Sequence, residues 1–374
     1  MTPARQQSLV LILAFLVLIG VVAPVEFILA RRAGEPSRLA DLCRRMPTRA
    51  SLRRLESDLE SGSRLAQAVR PWSQFLRFVA LGDTGDKAVL GRDGWFFYRP
   101  AVQYLVEPYT LQADLFEAIV AFRDDLARRG IKLLVMPAPN KASVYPEKLA
   151  AHAGDQAEPV NVMTRDVLAR LREVDVEVFD LFELYEQARQ APEAPAYYLA
   201  QDSHWSPEGM RLAAEAVAHH LVDLGWVQRQ PSPYETESVP VQRYGDVLTM
   251  IRVPHVERLF EPQRMNCTRV VHAMTRTPYA DDPNAPMLVL GDSFLRIFER
   301  DEPGSGGFVA HLACQLGFGL SSIINDGGAS TLVRQQLARK PAVLEGKRVV
   351  IWEFVERDIR FGTEGWQVIP LPEQ

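Results

Sequence analysis

Short apolar runs that alternate with amphipathic helical stretches constrain this chain more than any other feature. Lys132-Leu-Leu-Val-Met136, Val174 to Leu181, Met287-Leu-Val-Leu290, Leu320 to Asn325 and Arg348-Val-Val-Ile-Trp352 read as short buried strands. Between them, Asp114 to Arg129 places Leu115, Ala118, Ile119, Phe122 and Leu126 on one helical face before Gly130. Residues 161–173, 308–316 and 329–339 are also helix-like. Ser206-Pro207 starts a further helix as N-cap and first helical residue, with Met210, Ala213, Val217, Leu221 and Leu224 on its apolar stripe. Strands that are apolar throughout and separated by helices need a parallel sheet covered on both faces. The expected fold is a doubly wound α/β sandwich of three layers, α/β/α, over residues 80–374. Residues 226–285, rich in Pro and short mixed runs, fit this scheme poorly and are expected to form an insertion.

The amino-terminal part obeys a different rule. From Leu9 to Val25 no residue is charged, and Phe27-Ile28-Leu29-Ala30 extends the run past Glu26. About 20 apolar residues span a hydrocarbon core of ~30 Å. The run exceeds the apolar core of a cleavable signal peptide, and Ile28-Leu29-Ala30 is a poor small-x-small cleavage site. An uncleaved transmembrane signal anchor over 8–30 is expected, followed by a helical stalk or linker over 31–79. A literal positive-inside count, with Arg5 before the segment and Arg31, Arg32 and Arg38 after it, favours a cytoplasmic carboxyl-terminal part, although large domains translocate largely regardless of charge.

Composition excludes some functions. The 374 residues carry a net charge of −5 with Lys and Arg dispersed, so no basic stripe suits nucleic acid. Cys43, Cys267 and Cys314 are far apart and lack the C-x-x-C spacing of a zinc or redox site, so no metal and no cofactor is expected.

Chemistry concentrates in two places. Met287-Leu-Val-Leu290 runs into Gly291-Asp292-Ser293, which sets Ser293 at the carboxyl end of a buried strand, where open parallel sheets place their functional crevice. A serine hydroxyl is a weak nucleophile without a neighbouring base. His204, in the polar loop Ala200-Gln-Asp202-Ser-His204-Trp205 before a capped helix, is the best candidate base among seven histidines. Alternate side chains of an extended loop point the same way, so Asp202 can face the crevice with His204 and fix its tautomer. Each motif also has a plain reading, as a turn and as a helix entry.

The DSHW of 202–205, GDSF of 291–294, PAPNKASVYP of 137–146, GRDGWFFY of 91–98 and WEFVER of 352–357 together resemble the alginate O-acetyltransferase family, typified by AlgJ and the amino-terminal domain of AlgX, which is related to the SGNH hydrolases. The resemblance spans roughly residues 80–360. It implies an SGNH hydrolase-like fold and a catalytic triad of Asp202, His204 and Ser293. Ser293 would carry an acetyl group between a donor and a polysaccharide hydroxyl. It further implies a periplasmic catalytic domain at the inner membrane and an acetyl supply from a membrane-bound O-acyltransferase (MBOAT). No carbohydrate-binding domain is expected after residue 360, which leaves alginate, cellulose, another exopolysaccharide and peptidoglycan open as acceptors.

Around the triad, the Ser293 backbone amide is the natural first donor to an oxyanion. Asn140 or Asn325, each just after an expected strand, is the candidate second donor, and both are equally good turn residues. Arg296 and Arg357 are candidates for binding acidic sugars as planar donors, or else surface or structural arginines. Lys141 and Tyr145 are placed at a strand end beside the cleft. The triad alone does not separate an acetyltransferase from a carbohydrate acetylesterase, and a non-catalytic polymer-binding subunit of a secretion complex is the third reading.

Overall fold

The computed structural model describes residues 63–111, 113–153, 159–253 and 258–372, with isolated positions before residue 54. The expected anchor at 8–30 and most of the stalk, with Cys43, lie outside the described residues. Among the described residues no helix is long and apolar enough to cross a membrane. The end of the 31–79 segment is helical, as Arg64–Leu81. By contact the chain separates into two compact units, one of Met1–Asp83 with Arg252–Val256 and one of Thr84–Ile251 with Glu257–Gln374. The second carries the fold.

Nine strands are present among the described residues: β1 (Ala88–Leu90), β2 (Phe96–Tyr98), β3 (Lys132–Ala138), β4 (Glu177–Val178), β5 (Tyr234–Arg243), β6 (Gln263–His272), β7 (Met287–Gly291), β8 (Ser321–Ile324) and β9 (Val349–Val355). Five of them form the central sheet in the order β4-β3-β9-β7-β8, and every pairing in it is parallel. This is an α/β fold with a parallel central sheet. All five expected runs are its strands, although the run 174–181 contributes only Glu177–Val178, at an edge.

Alternation along the strands divides the core in two, because successive side chains of a strand point to opposite faces. Leu134, Met136, Met287, Val289, Val349 and Ile351 join one apolar cluster with the helices Pro207–Asp223 and Phe308–Leu316. Leu133, Val135, Leu288, Leu290, Val350 and Trp352 join the other with Ala113–Ala127, Val162–Glu173 and Leu332–Ala338. The sheet is thus buried on both faces. Ser206 caps the first of these helices as expected, its Oγ accepting from Gly209 N–H at 3.1 Å.

Within 226–285 the chain leaves the sheet. β5 and β6 pair only with each other, as a ten-residue antiparallel ribbon, and the short helix Asp246–Met250 lies between them. Cys267 on the ribbon is buried, and both it and Cys314 are free thiols.

Candidate active site

Parallel strands end on one side, so the residues that follow β3, β7, β8 and β9 share an edge of the sheet. β7 delivers Ser293 as the first residue of the helical turn Ser293–Arg296, with Asp292 as N-cap accepting from Phe294 N–H at 2.9 Å. Gly291 leaves room there: a Cβ would lie 2.3 Å from Glu353 Oε2 on the neighbouring β9, which would have to shift. Glu353 in turn accepts from Asp292 N–H at 3.0 Å, so the central strand holds the turn that presents the serine.

The second motif meets the first through its aromatic residues. Phe294 packs against His204, Trp205 and Tyr198, with ring centroids 4.9, 5.2 and 6.3 Å apart, and Trp205 stacks on Phe308 at 5.8 Å. Trp205 and Phe294 are fully buried, and aromatic pairs at these separations contribute about 0.5–1.5 kcal/mol each beyond their area burial. This packing seats the imidazole over the serine. His204 Nε2 lies 2.8 Å from Ser293 Oγ and Nδ1 lies 2.6 Å from Asp202 Oδ1. The three residues, 89 positions apart at the extremes of the Nε2–Oγ contact, form one continuous run of hydrogen bonds. Asp202 and His204 are buried, whereas Ser293 is half-buried and keeps access to solvent.

The charges are arranged to keep Asp202 ionised. Burial would raise its carboxyl, but the bond to His204, the imidazole charge and Arg243, whose Nη2 is 3.3 Å from Oδ2, hold it well below the usual carboxylate range. For His204, burial opposes protonation. The bond and charge of Asp202, with Asp246 and Asp292 behind it, outweigh burial and lift the imidazole above its ordinary value.

Lys141 and Tyr145, expected beside the cleft, are instead buried under the loop of Asp202 and His204, with 3% and 6% of their surface exposed. Lys141 Nζ donates to the carbonyls of Leu199, Ala200 and Asp202 at 2.9, 3.0 and 2.6 Å and sits 5.0 Å from the centroid of the Phe97 ring. Burial pulls its ammonium down to about 7 against the charges of Asp202 and Asp246. The three carbonyl dipoles act in the other sense, favouring the protonated form. Tyr145 accepts from Tyr197 N–H at 2.8 Å and packs against Trp95 with the rings tilted by 45°. Both side chains are props of the loop.

Asn140 follows β3, and its backbone N–H donates to Glu356 Oε2 at 2.8 Å. Its side-chain amide is buried with neither atom hydrogen-bonded among the described residues, an arrangement proteins rarely leave without use. Asn325 follows β8, where its backbone closes a turn from Gly291 O to Gly328 N–H. Arg296 is held by the carboxylates of Asp301 and Asp326, which occupy the donors a sugar acid would need. Arg357 is half-buried over the Tyr98 ring at 5.1 Å; burial raises the carboxyl of Asp292 beside Ser293, and the charge of Arg357 partly opposes that rise.

Two residues of the site have no signal in the sequence. Arg243 and Asp246 come from the ribbon region, and both contact Asp202. Only a glycine-flanked turn, Tyr244-Gly245-Asp246, marks the place. Ligand atoms of Asp202, His204 and Asp246 lie within 4.8 Å of one another, but each is already hydrogen-bonded inside the cluster, and a metal there would have to break the Asp202–His204 bond.

An all-parallel sheet with a serine, a histidine and an aspartate joined at the carboxyl ends of its strands fits an SGNH hydrolase-like enzyme. The family described as SGNH hydrolase-like domain, acetyltransferase AlgX, matches residues 88–356, and the chain belongs to this family of acetyltransferases. It is 26% identical over 289 residues to the probable alginate O-acetylase AlgJ of Pseudomonas fluorescens, covering 74% of this chain and 69% of that protein. It is 30% identical over 214 residues to the Pseudomonas aeruginosa protein of the same name, covering 55% of this chain and about half, 51%, of the relative. Among solved structures, the O-acetyltransferase domain of Pseudomonas putida AlgJ shares the fold with a TM-score of 0.59 at 24% identity, over 73% of this chain and 92% of that domain. Pseudomonas aeruginosa AlgX shares it with a TM-score of 0.54 at 21% identity, over 72% and 61%.

Proposed function

We propose that this chain transfers acetyl groups to hydroxyls of a secreted or cell-envelope polysaccharide, alginate-like in kind, through an acetyl-Ser293 intermediate. The observation that carries the reading is the unbroken Asp202–His204–Ser293 run, with 2.6 and 2.8 Å contacts, in a member of an acetyltransferase family whose relatives are named alginate O-acetylases. Ser293 Oγ attacks the acetyl carbonyl of the donor while His204 Nε2 takes its proton. Collapse of the tetrahedral intermediate expels the donor's leaving group, which departs with that proton. A sugar hydroxyl then attacks the ester, giving its proton to His204, and the proton returns to Oγ as the acetylated sugar leaves. The Ser293 backbone N–H and the unpaired Asn140 amide are the donors assigned to the oxyanion.

The test separates transfer from hydrolysis. With an activated acetyl ester and alginate oligosaccharides, the protein should place acetyl groups on the oligosaccharide faster than on water, and intact-mass analysis should find one acetyl group on Ser293. Hydrolysis with no acceptor product, at saturating oligosaccharide, would assign the chain to the esterases instead.

The catalytic domain, 80–374, is assigned to the periplasm, tethered to the inner membrane by the 8–30 anchor and the 31–79 stalk, where an MBOAT protein hands over acetyl groups. The uncharged run Leu9 to Val25 supports this placement, and the arginines after it oppose it. A reporter fused after Gln374 that works only when exported should be active; activity of a cytoplasm-only reporter reverses the orientation.

A further inference from the structure

The loop that carries Asp202 and His204 is bonded along one side to the ribbon region. Gln263 Oε1 of β6 accepts from Gln201 N–H at 2.8 Å, and Gln201 Nε2 donates to Glu261 O at 2.7 Å. After β5 the chain passes so close to Gln201 that a Cβ on Gly245 would stand 2.2 Å from its carbonyl oxygen. Asp246, one residue on, reaches the loop from both its backbone and its side chain. Its N–H donates to Asp202 Oδ2 at 3.1 Å. Its carboxylate accepts from Ser203 N–H at 2.7 Å and Ser203 Oγ–H at 2.6 Å, and Oδ2 stands 3.6 Å from His204 Nδ1. None of these contacts belongs to the β5–β6 ladder or to the central sheet.

We propose that Asp246 is a positioning residue for His204, clamping the Asp202–Ser203 backbone and setting a second carboxylate on the Nδ1 side of the imidazole. The inference rests on the triad reading above. When Ser293 yields its proton, the positive charge that forms on the ring faces Asp202 from its own loop, Asp246 from the helix after β5 and Asp292 from the turn after β7. Arg243 partly answers the charge of Asp202, and the Lys141 ammonium feels both Asp202 and Asp246. The two carboxyls divide the work. Asp202 stays ionised, whereas burial and the nearby Asp202 charge raise the Asp246 carboxyl above the usual range. Asp246 is therefore the member whose charge changes first on acidification.

The test is Asp246→Asn, which keeps one of the two acceptor oxygens for Ser203, replaces the other by an amide NH2 and removes the charge. Histidine-selective NMR, with the His204 resonance assigned by its loss in His204→Gln, reads the imidazole titration directly. In Asp246→Asn the His204 titration should move to lower pH, and the acid limb of kcat/KM for acetyl-ester cleavage should move with it. kcat should fall about tenfold, the lower end of what a metal-ligating histidine loses with an outer partner, with KM little changed. Ser203→Ala, which keeps the Asp246 charge, should leave the His204 titration in place. A folded Asp246→Asn protein with the parent's His204 titration would overturn the proposal. Failure of the parent to cleave the ester would instead sink the triad reading, and the NMR titration would still report on Asp246.

Discussion

Replacing Ser293 by Ala should remove acetyl transfer and leave the fold intact. The change deletes one hydroxyl from a half-buried position at the head of a helical turn whose cap is Asp292, so no cavity or orphaned donor results. The loss in kcat should be on the order of 10⁶-fold, the scale seen when a triad nucleophile or base is removed. His204→Ala should cost as much and the double variant no more, because the two act as a unit. Asp202→Asn should cost about 10⁴-fold, through the wrong tautomer. Asn140→Ala should cost about 10²–10³-fold, as for one oxyanion donor. Single-turnover acetylation followed by mass spectrometry reads the series. A Ser293→Ala protein that transferred acetyl at the parent rate would refute the assignment.

Lys141→Met should be the most damaging change to stability among the residues of the site. It removes the ammonium on which three carbonyls converge at 2.6–3.0 Å and leaves two of them, Leu199 O and Asp202 O, buried without a donor, whereas Ala200 O keeps the Phe96 N–H. An unsatisfied buried polar group costs about 1–3 kcal/mol, so the loss should reach roughly 3 kcal/mol or more even if the loop relaxes. Denaturant unfolding should show the midpoint displaced by that amount, and activity should fall as well, since the carbonyls belong to the loop that bears Asp202. Unfolding at the parent's midpoint would show that the loop stands without this strut.

The sheet could be read from the chain because strands buried on both faces leave an undisguised apolar signature. β3 nevertheless runs past its expected end at Met136, through Pro137 to Ala138. The ribbon was illegible for the opposite reason. β5 exposes Glu235 and carries Pro240, and its strength comes from pairing with β6 some thirty positions away, which no local pattern encodes. That Ser293 and His204 would meet was legible because each is tied to a strand end or a helix entry. Lys141 was legible as a position only, because its acceptors lie 58 to 61 residues further on. Asp246 was not legible at all, since nothing near it in the chain shows that it meets Ser203.

The contact of Phe294 with His204 and Trp205 has a consequence for how the site behaves as conditions change. Ser293 and His204 are held in register partly by the Phe294 and Trp205 rings, which carry no charge, while the imidazole proton answers to Asp202, Asp246 and Asp292. Acidification can therefore load the imidazole while those rings stay packed, even as it discharges the Asp246 carboxylate that clamps the loop. Inactivation at low pH should then be reversible, with activity returning as soon as the medium is neutral again.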